Sequence, residues 1–197
     1  MTKINLKMEN KLTHQESWNI MQDMISNTKK SLKDDGSYYL LWGWLSLIAN
    51  VGHWIGIQLG KPELAPIVWP VLMISGGVYS AIKSSRESKN QSVKTHLGNI
   101  MAMVWMGFGL SMVIAFVAVA SQKNWLLINP MVIMLYAWGT FISGAILKFK
   151  PLIYGGVFAW VLAGFSFFAP QDIQLIIGAV AIIVSYLIPG YILKSKN

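Results

Sequence analysis

Apolar residues run along this chain in long unbroken blocks rather than in the alternation of half-buried elements. Six stretches carry no charge: Gly36–Gly60, Leu64–Ile82, Thr95–Gln122, Asn124–Leu147, Pro151–Gln171 and Ile173–Leu193. The shortest has 19 residues. A helix needs roughly 20 residues to cross a hydrocarbon core about 30 Å thick. The pattern therefore predicts transmembrane helices over 38–59, 65–83, 97–121, 130–148, 152–169 and 173–193. The connections near 60–64, 122–129, 148–151 and 170–172 are short, which makes consecutive helices antiparallel neighbours. The fold class is read as all-α: a polytopic membrane protein with six transmembrane helices in three antiparallel hairpins, plus one N-terminal cytoplasmic amphipathic helix. Residues 1–36 form the amphipathic segment and 37–197 the six-helix bundle.

The segment before the first apolar block has a different pattern. Trp18, Met21, Ile25, Thr28 and Leu32 recur at spacings of three and four, with Ile20 and Met24 widening the stripe, as on an amphipathic helix. Thr13-His14-Gln15-Glu16 fits a capping box at its start. Lys29, Lys30 and Lys33 fall in its last turn, where cations suit the helix dipole. Asp34-Asp35-Gly36 is expected to end it, and Ser37 to cap the first membrane helix. Two readings follow. The helix lies on the inner leaflet, with its lysines on anionic lipid. Alternatively, Trp18, Met21, Ile25 and Leu32 form a docking face for a protein partner or a second copy.

Composition supports the membrane assignment. Of 197 residues, 54% are apolar and 12% charged, against about 25% charged in an ordinary soluble domain. The mean hydropathy is +0.50. These values exclude an ordinary soluble enzyme, a disordered tail and a nucleic-acid-binding domain. The net charge of +8 suggests nucleic acid only until the charges are located. Fourteen of the 16 lysines and arginines fall on one side of the expected topology, and only Lys61 and Lys123 on the other. The positive-inside rule then places both termini in the cytoplasm. Residues 1–36 contain no continuous apolar core of a signal peptide, so the first membrane helix is expected to act as an uncleaved insertion signal. The expected location is a bacterial inner (plasma) membrane. The expected partners are the lipid bilayer and a protein partner or homo-oligomer through the N-terminal helix, with no nucleic acid.

Little in the apolar blocks points to chemistry. The chain has no cysteine, which removes disulfides, thiolate catalysis and Cys-ligated metals. No Asp, Glu, Lys or Arg lies between the expected helix ends, where pumps and coupled transporters place ionisable groups. The three histidines, at 14, 53 and 96, divide between the two membrane faces and cannot share a metal. No Gly-x-Ser-x-Gly motif accompanies the serines. The expectation is no catalytic residue, no metal, no cofactor and no enzyme.

Asn50, His53, Asn99, Thr140 and Ser143 are the candidate polar cavity. Asn50, His53 and Trp54 share a helix face, with Gly52 and Gly56 beside them for close helix approach. These residues either line a solute- or water-filled space or make hydrogen bonds between helices. Trp105, Trp138 and Trp160 lie too deep for an interfacial belt. As a candidate aromatic core they either line a ligand cavity or fill the bundle. Small-xxx-small pairs such as Gly139/Ser143, Thr140/Gly144, Ala159/Ala163 and Ala181/Ser185 argue for tight packing or dimer contacts. Pro70 and Pro189-Gly190 are candidate kinks. Similar lysine-terminated endings of the even-numbered helices suggest either a repeated hairpin or chance.

The residues Glu16-Ser17, Ile20, Met24-Ile25 and Lys29, followed by Tyr39-Leu40-Leu41-Trp42-Gly43-Trp44, resemble uncharacterised small six-helix integral membrane proteins of Bacteroidota, a group with no assigned activity. The likeness covers this stretch and the six-span plan. It implies a bacterial inner membrane and an N-terminal helix integral to the design, and it carries over no activity, cofactor or catalytic residue. The expected function is that of a non-enzymatic membrane anchor, interaction or regulatory protein acting through its N-terminal helix. The alternative is a small-solute channel, carrier or ligand-binding receptor using Asn50, His53, Asn99 and the deep tryptophans.

Overall fold

The computed structural model describes residues 14–90 and 96–195. All elements among the described residues are helical. They are α1 (His14–Gln58), α2 (Val68–Asn90, entered through a 3₁₀ turn at Ala65–Ile67), α3 (His96–Gln122), α4 (Ile128–Ile146, entered through a 3₁₀ turn at Trp125–Leu127), α5 (Lys150–Ser166) and α6 (Gln171–Ser195). Within α6, Ile183–Leu187 forms a π turn.

Five stretches are long and apolar enough to cross a bilayer: Gly36–Gln58, Ala65–Arg86, Gly98–Gln122, Trp125–Ile146 and Gln171–Ser195. The sixth expected span, 152–169, corresponds to α5, which starts two residues earlier and ends three residues earlier. α5 has 17 residues, about 26 Å at 1.5 Å per residue. The chain tightens after Ser166, where the N–H groups of Phe168 and Ala169 donate to the carbonyls of Phe165 and Ser166. Pro170, in extended conformation, then disfavours helix in the residue before it.

The expected separate amphipathic helix is also corrected. α1 is one 45-residue helix that passes through Asp34-Asp35-Gly36 without a break, and Ser37 is not an N-cap. The reason is tertiary. A Cβ at Gly36 would stand 3.3 Å from the Lys194 backbone nitrogen and 3.4 Å from the Gly190 carbonyl oxygen, so α1 lies directly against the end of α6. That contact outweighs the roughly 1 kcal/mol by which glycine disfavours a helix interior. Thr13 of the capping box lies outside the described residues.

Three helices end alike. The N–H groups of Lys61, Asn124 and Phe149 reach back five residues to the carbonyls of Gly56, Val119 and Gly144. Each bond closes a Schellman-type end around a residue of positive φ: Gly60 (+70°), Lys123 (+52°) and Lys148 (+51°). Two of these left-handed positions are therefore held by lysine.

The core lies among α1, α4, α5 and α6. Half of the α6 span and 39% of the α4 span are buried, against 11% in α2 and α3. α2 packs on α1 and α3 on α4, but α2 and α3 share no extended contact among the described residues. The tightest pairing is α4 with α5, where backbones nearly touch. A Cβ on Gly144 would stand 2.7 Å from the Ile153 nitrogen, and one on Gly156 2.9 Å from the Phe141 nitrogen. Helices in lipid gain stability from this kind of close approach, since burial of apolar surface against other helices is no better than burial against lipid.

Candidate functional site

The most polar buried region lies toward the end of the bundle marked by the α1–α2, α3–α4 and α5–α6 turns. On α1, Asn50 is 2% exposed. Its Nδ2 donates to the Ser46 carbonyl at 3.0 Å, and its Oδ1 has no partner within the protein. α6 approaches this amide at a glycine: a Cβ on Gly178 would stand 2.8 Å from Asn50 Oδ1. Asn129, in the first turn of α4, contributes a buried Nδ2 with no partner within the protein. About two turns below it, Tyr136 contributes a buried hydroxyl in the same condition. These groups surround a cavity of about 30 Å³ lined by Ser46, Asn50, Trp69, Asn129, Tyr136 and Gly178, with Val132, Ile133 and Ile182 as its apolar wall.

His53 lies one turn from Asn50 toward the same end and is buried. The Trp69 indole N–H donates to His53 Nδ1 at 3.1 Å. An indole nitrogen only donates, so Nδ1 accepts, and the neutral ring carries its proton on Nε2. That Nε2 is buried without a partner within the protein. His53 thus ties α1 to α2 but does not line the cavity. Gln174, one turn before Gly178 on α6, is 1% exposed. Its Nε2 donates to the Ala169 carbonyl at 3.1 Å, leaving Oε1 buried and unbonded.

The expected five-residue polar cavity does not assemble. Only Asn50 lines the observed space. Asn99 is exposed in the first turns of α3, at the opposite end of the bundle. Thr140 is fully buried and donates to the Tyr136 carbonyl at 2.8 Å, the back-bond a helical threonine makes within its own helix. Ser143 lies a further turn away, fully buried, its hydroxyl without a partner within the protein. Asn129 and Gly178, which do complete the site, carry no sequence signal beyond a polar residue and a glycine near helix starts.

The three tryptophans do not gather either. Trp138 is 54% exposed and meets Trp160 edge-on at 5.9 Å. Trp105 belongs to another cluster, 6.2 Å from Tyr39, 6.3 Å from Tyr186 and 5.4 Å from Phe108. Trp105 shares that cluster with tyrosines: Tyr186 stands 5.5 Å from Tyr39 and 5.6 Å from Tyr136, both edge-on, and Trp105 and Trp160 both pack against the buried core. Tyr186 sits in the π turn. The spacing of Ile133, Tyr136, Thr140 and Ser143 marks the buried stripe of α4. Trp138 lies about 200° around the helix from Tyr136.

On the N-terminal part of α1, Trp18 is exposed; the side chains of Met21, Ile25 and Leu32 lie outside the described residues. Among the described residues, no three His, Asp or Glu side chains form a group able to hold a metal. The cavity has room for one or two water molecules and falls far below the roughly 300–1,000 Å³ of a small-molecule pocket. The chain matches no protein-family model, no curated protein and no solved structure.

Proposed function

We propose that this chain is a non-enzymatic protein of a bacterial inner membrane that presents the N-terminal part of α1 to the cytoplasm as an interaction arm. The observation that carries this reading is the continuity of α1. Its apolar span begins at Gly36, yet the helix begins at His14. Residues 14–35 therefore add about 33 Å of helix beyond the span. The lysines at 29, 30 and 33 lie where this arm would leave the membrane, and the 14-to-2 charge division favours a cytoplasmic side. The stripe of Trp18, Met21, Ile25 and Leu32 gives the arm one apolar face.

The test is photo-crosslinking in cells from benzoylphenylalanine placed at position 22. The reading expects adducts of discrete mass, lost when Trp18, Met21, Ile25 and Leu32 are all replaced by serine, with membrane insertion unchanged. An absence of adducts, or the same adducts from the serine variant, would sink it.

A further inference from the structure

Two helices bring unmatched hydrogen-bonding groups to one small space, and a third closes it with a glycine. Asn50 Oδ1 on α1 can only accept, Asn129 Nδ2 on α4 can only donate, and the Tyr136 hydroxyl can do either. None has a partner within the protein, although all three residues line the cavity. Asn50 and Tyr136 are more than nine-tenths buried. A buried amide or hydroxyl left unbonded costs about 1–3 kcal/mol, so such groups in natural proteins find a partner, commonly ordered water. The space of about 30 Å³ exceeds the roughly 10–15 Å³ needed for one water and matches two. It is too small for a solute of several heavy atoms.

We infer that this cavity is a built water site, in which one or two resident waters donate to Asn50 Oδ1, accept from Asn129 Nδ2 and bond the Tyr136 hydroxyl, joining α1 to α4 against Gly178 of α6. Gly178 is a requirement of the site: a Cβ there would stand 2.8 Å from Asn50 Oδ1, in the space where water bonds that oxygen. His53 and Gln174 form the adjoining layer toward the end of the bundle, with Nε2 and Oε1 buried and unbonded. The inference is independent of the interaction arm, which lies at the other end of α1.

Water-edited solid-state NMR tests the site on full-length protein in lipid bilayers with 15N-labelled asparagine. The Asn50 and Asn129 side-chain signals are assigned by their loss in Asn50→Leu and Asn129→Leu. The expected result is magnetisation transfer from water to both amides, and loss of that transfer at Asn129 in Gly178→Ala while helicity by circular dichroism is kept. No water transfer to either amide in the unmodified protein means a dry cavity and overturns the inference, whatever the folding of the variants. Full transfer persisting in folded Gly178→Ala places the water elsewhere and overturns it too.

Discussion

At the scale of single residues, backbone contacts decide more than side-chain chemistry does. Gly156 faces the Phe141 backbone at a distance no Cβ tolerates. Gly156→Ala should therefore destabilise the bundle by about 1–3 kcal/mol, read as a lower denaturation midpoint in detergent. Gly107 has nothing within 4 Å of its would-be Cβ. Gly107→Ala should leave stability unchanged or raise it by up to about 1 kcal/mol. The opposite logic applies at Lys148, whose φ of +51° strains any residue with a Cβ by about 1–2 kcal/mol. Lys148→Gly should be stabilising, and a lower midpoint would mean that the lysine contributes something larger than its strain. The Trp69–His53 bond predicts a smaller loss. Trp69→Phe removes the donor and should cost about 0.6–2 kcal/mol, the range for hydrogen bonds between membrane helices.

At the scale of elements, α1 and α6 depart from the expected plan. With no native cysteine, spin labels at positions 18 and 44, both exposed, can measure α1 directly. An unbroken helix puts their backbone positions about 39 Å apart, whereas a helix folded back at 34–36 gives a much shorter distance. In α6, the π turn at Ile183–Leu187 precedes Pro189. Proline has no N–H for the Ser185 carbonyl, and its ring would crowd that carbonyl in a regular helix. The wider turn relieves this: Ile188 N–H bonds five residues back to Ile183, and the extra residue brings Tyr186 against Tyr39 and Tyr136. Pro189→Ala should let the turn close, withdraw Tyr186 from the cluster and weaken the near-ultraviolet circular dichroism of the tyrosines. An unchanged spectrum would assign the π turn to packing rather than to the proline.

At the scale of the whole molecule, the packed interior and the charge distribution make a joint prediction. Single cysteines at 61 and 123 should react with an impermeant thiol reagent from one side of the membrane, and cysteines at 148 and 150 only from the other. Cysteines at 140 and 143, where the native side chains are fully buried, should react from neither. Fast labelling at 140 or 143 would reveal a water-filled interior and would return solute transport to first place. The peripheral position of α2 and α3 follows from the same economy of contacts. α2 packs mainly on α1 and α3 mainly on α4, and each turns a row of large apolar residues outward, including Val71, Ile74 and Val78 on α2 and Met106, Leu110 and Val113 on α3.

Sequence alone was enough to give the all-helical class and to locate five helices long and apolar enough to cross a bilayer, because that capacity is a local property: it needs only enough consecutive apolar residues. The same logic displaced α5 by two to three residues, since apolarity continues past Ser166, where the helix ends. Which face of each helix is buried could not be read this way. In lipid, the outward and inward faces are equally apolar, so no hydrophobic period distinguishes them. That is why Trp138 lies exposed although its block reads as uniformly apolar, and why no pattern in the sequence marks the tyrosine cluster. The water-sized site joins residues 50, 129 and 178, from three helices far apart in the chain. Only the close approach of α6 to α1 at a glycine brings them together, and that approach depends on backbone packing that no single segment encodes.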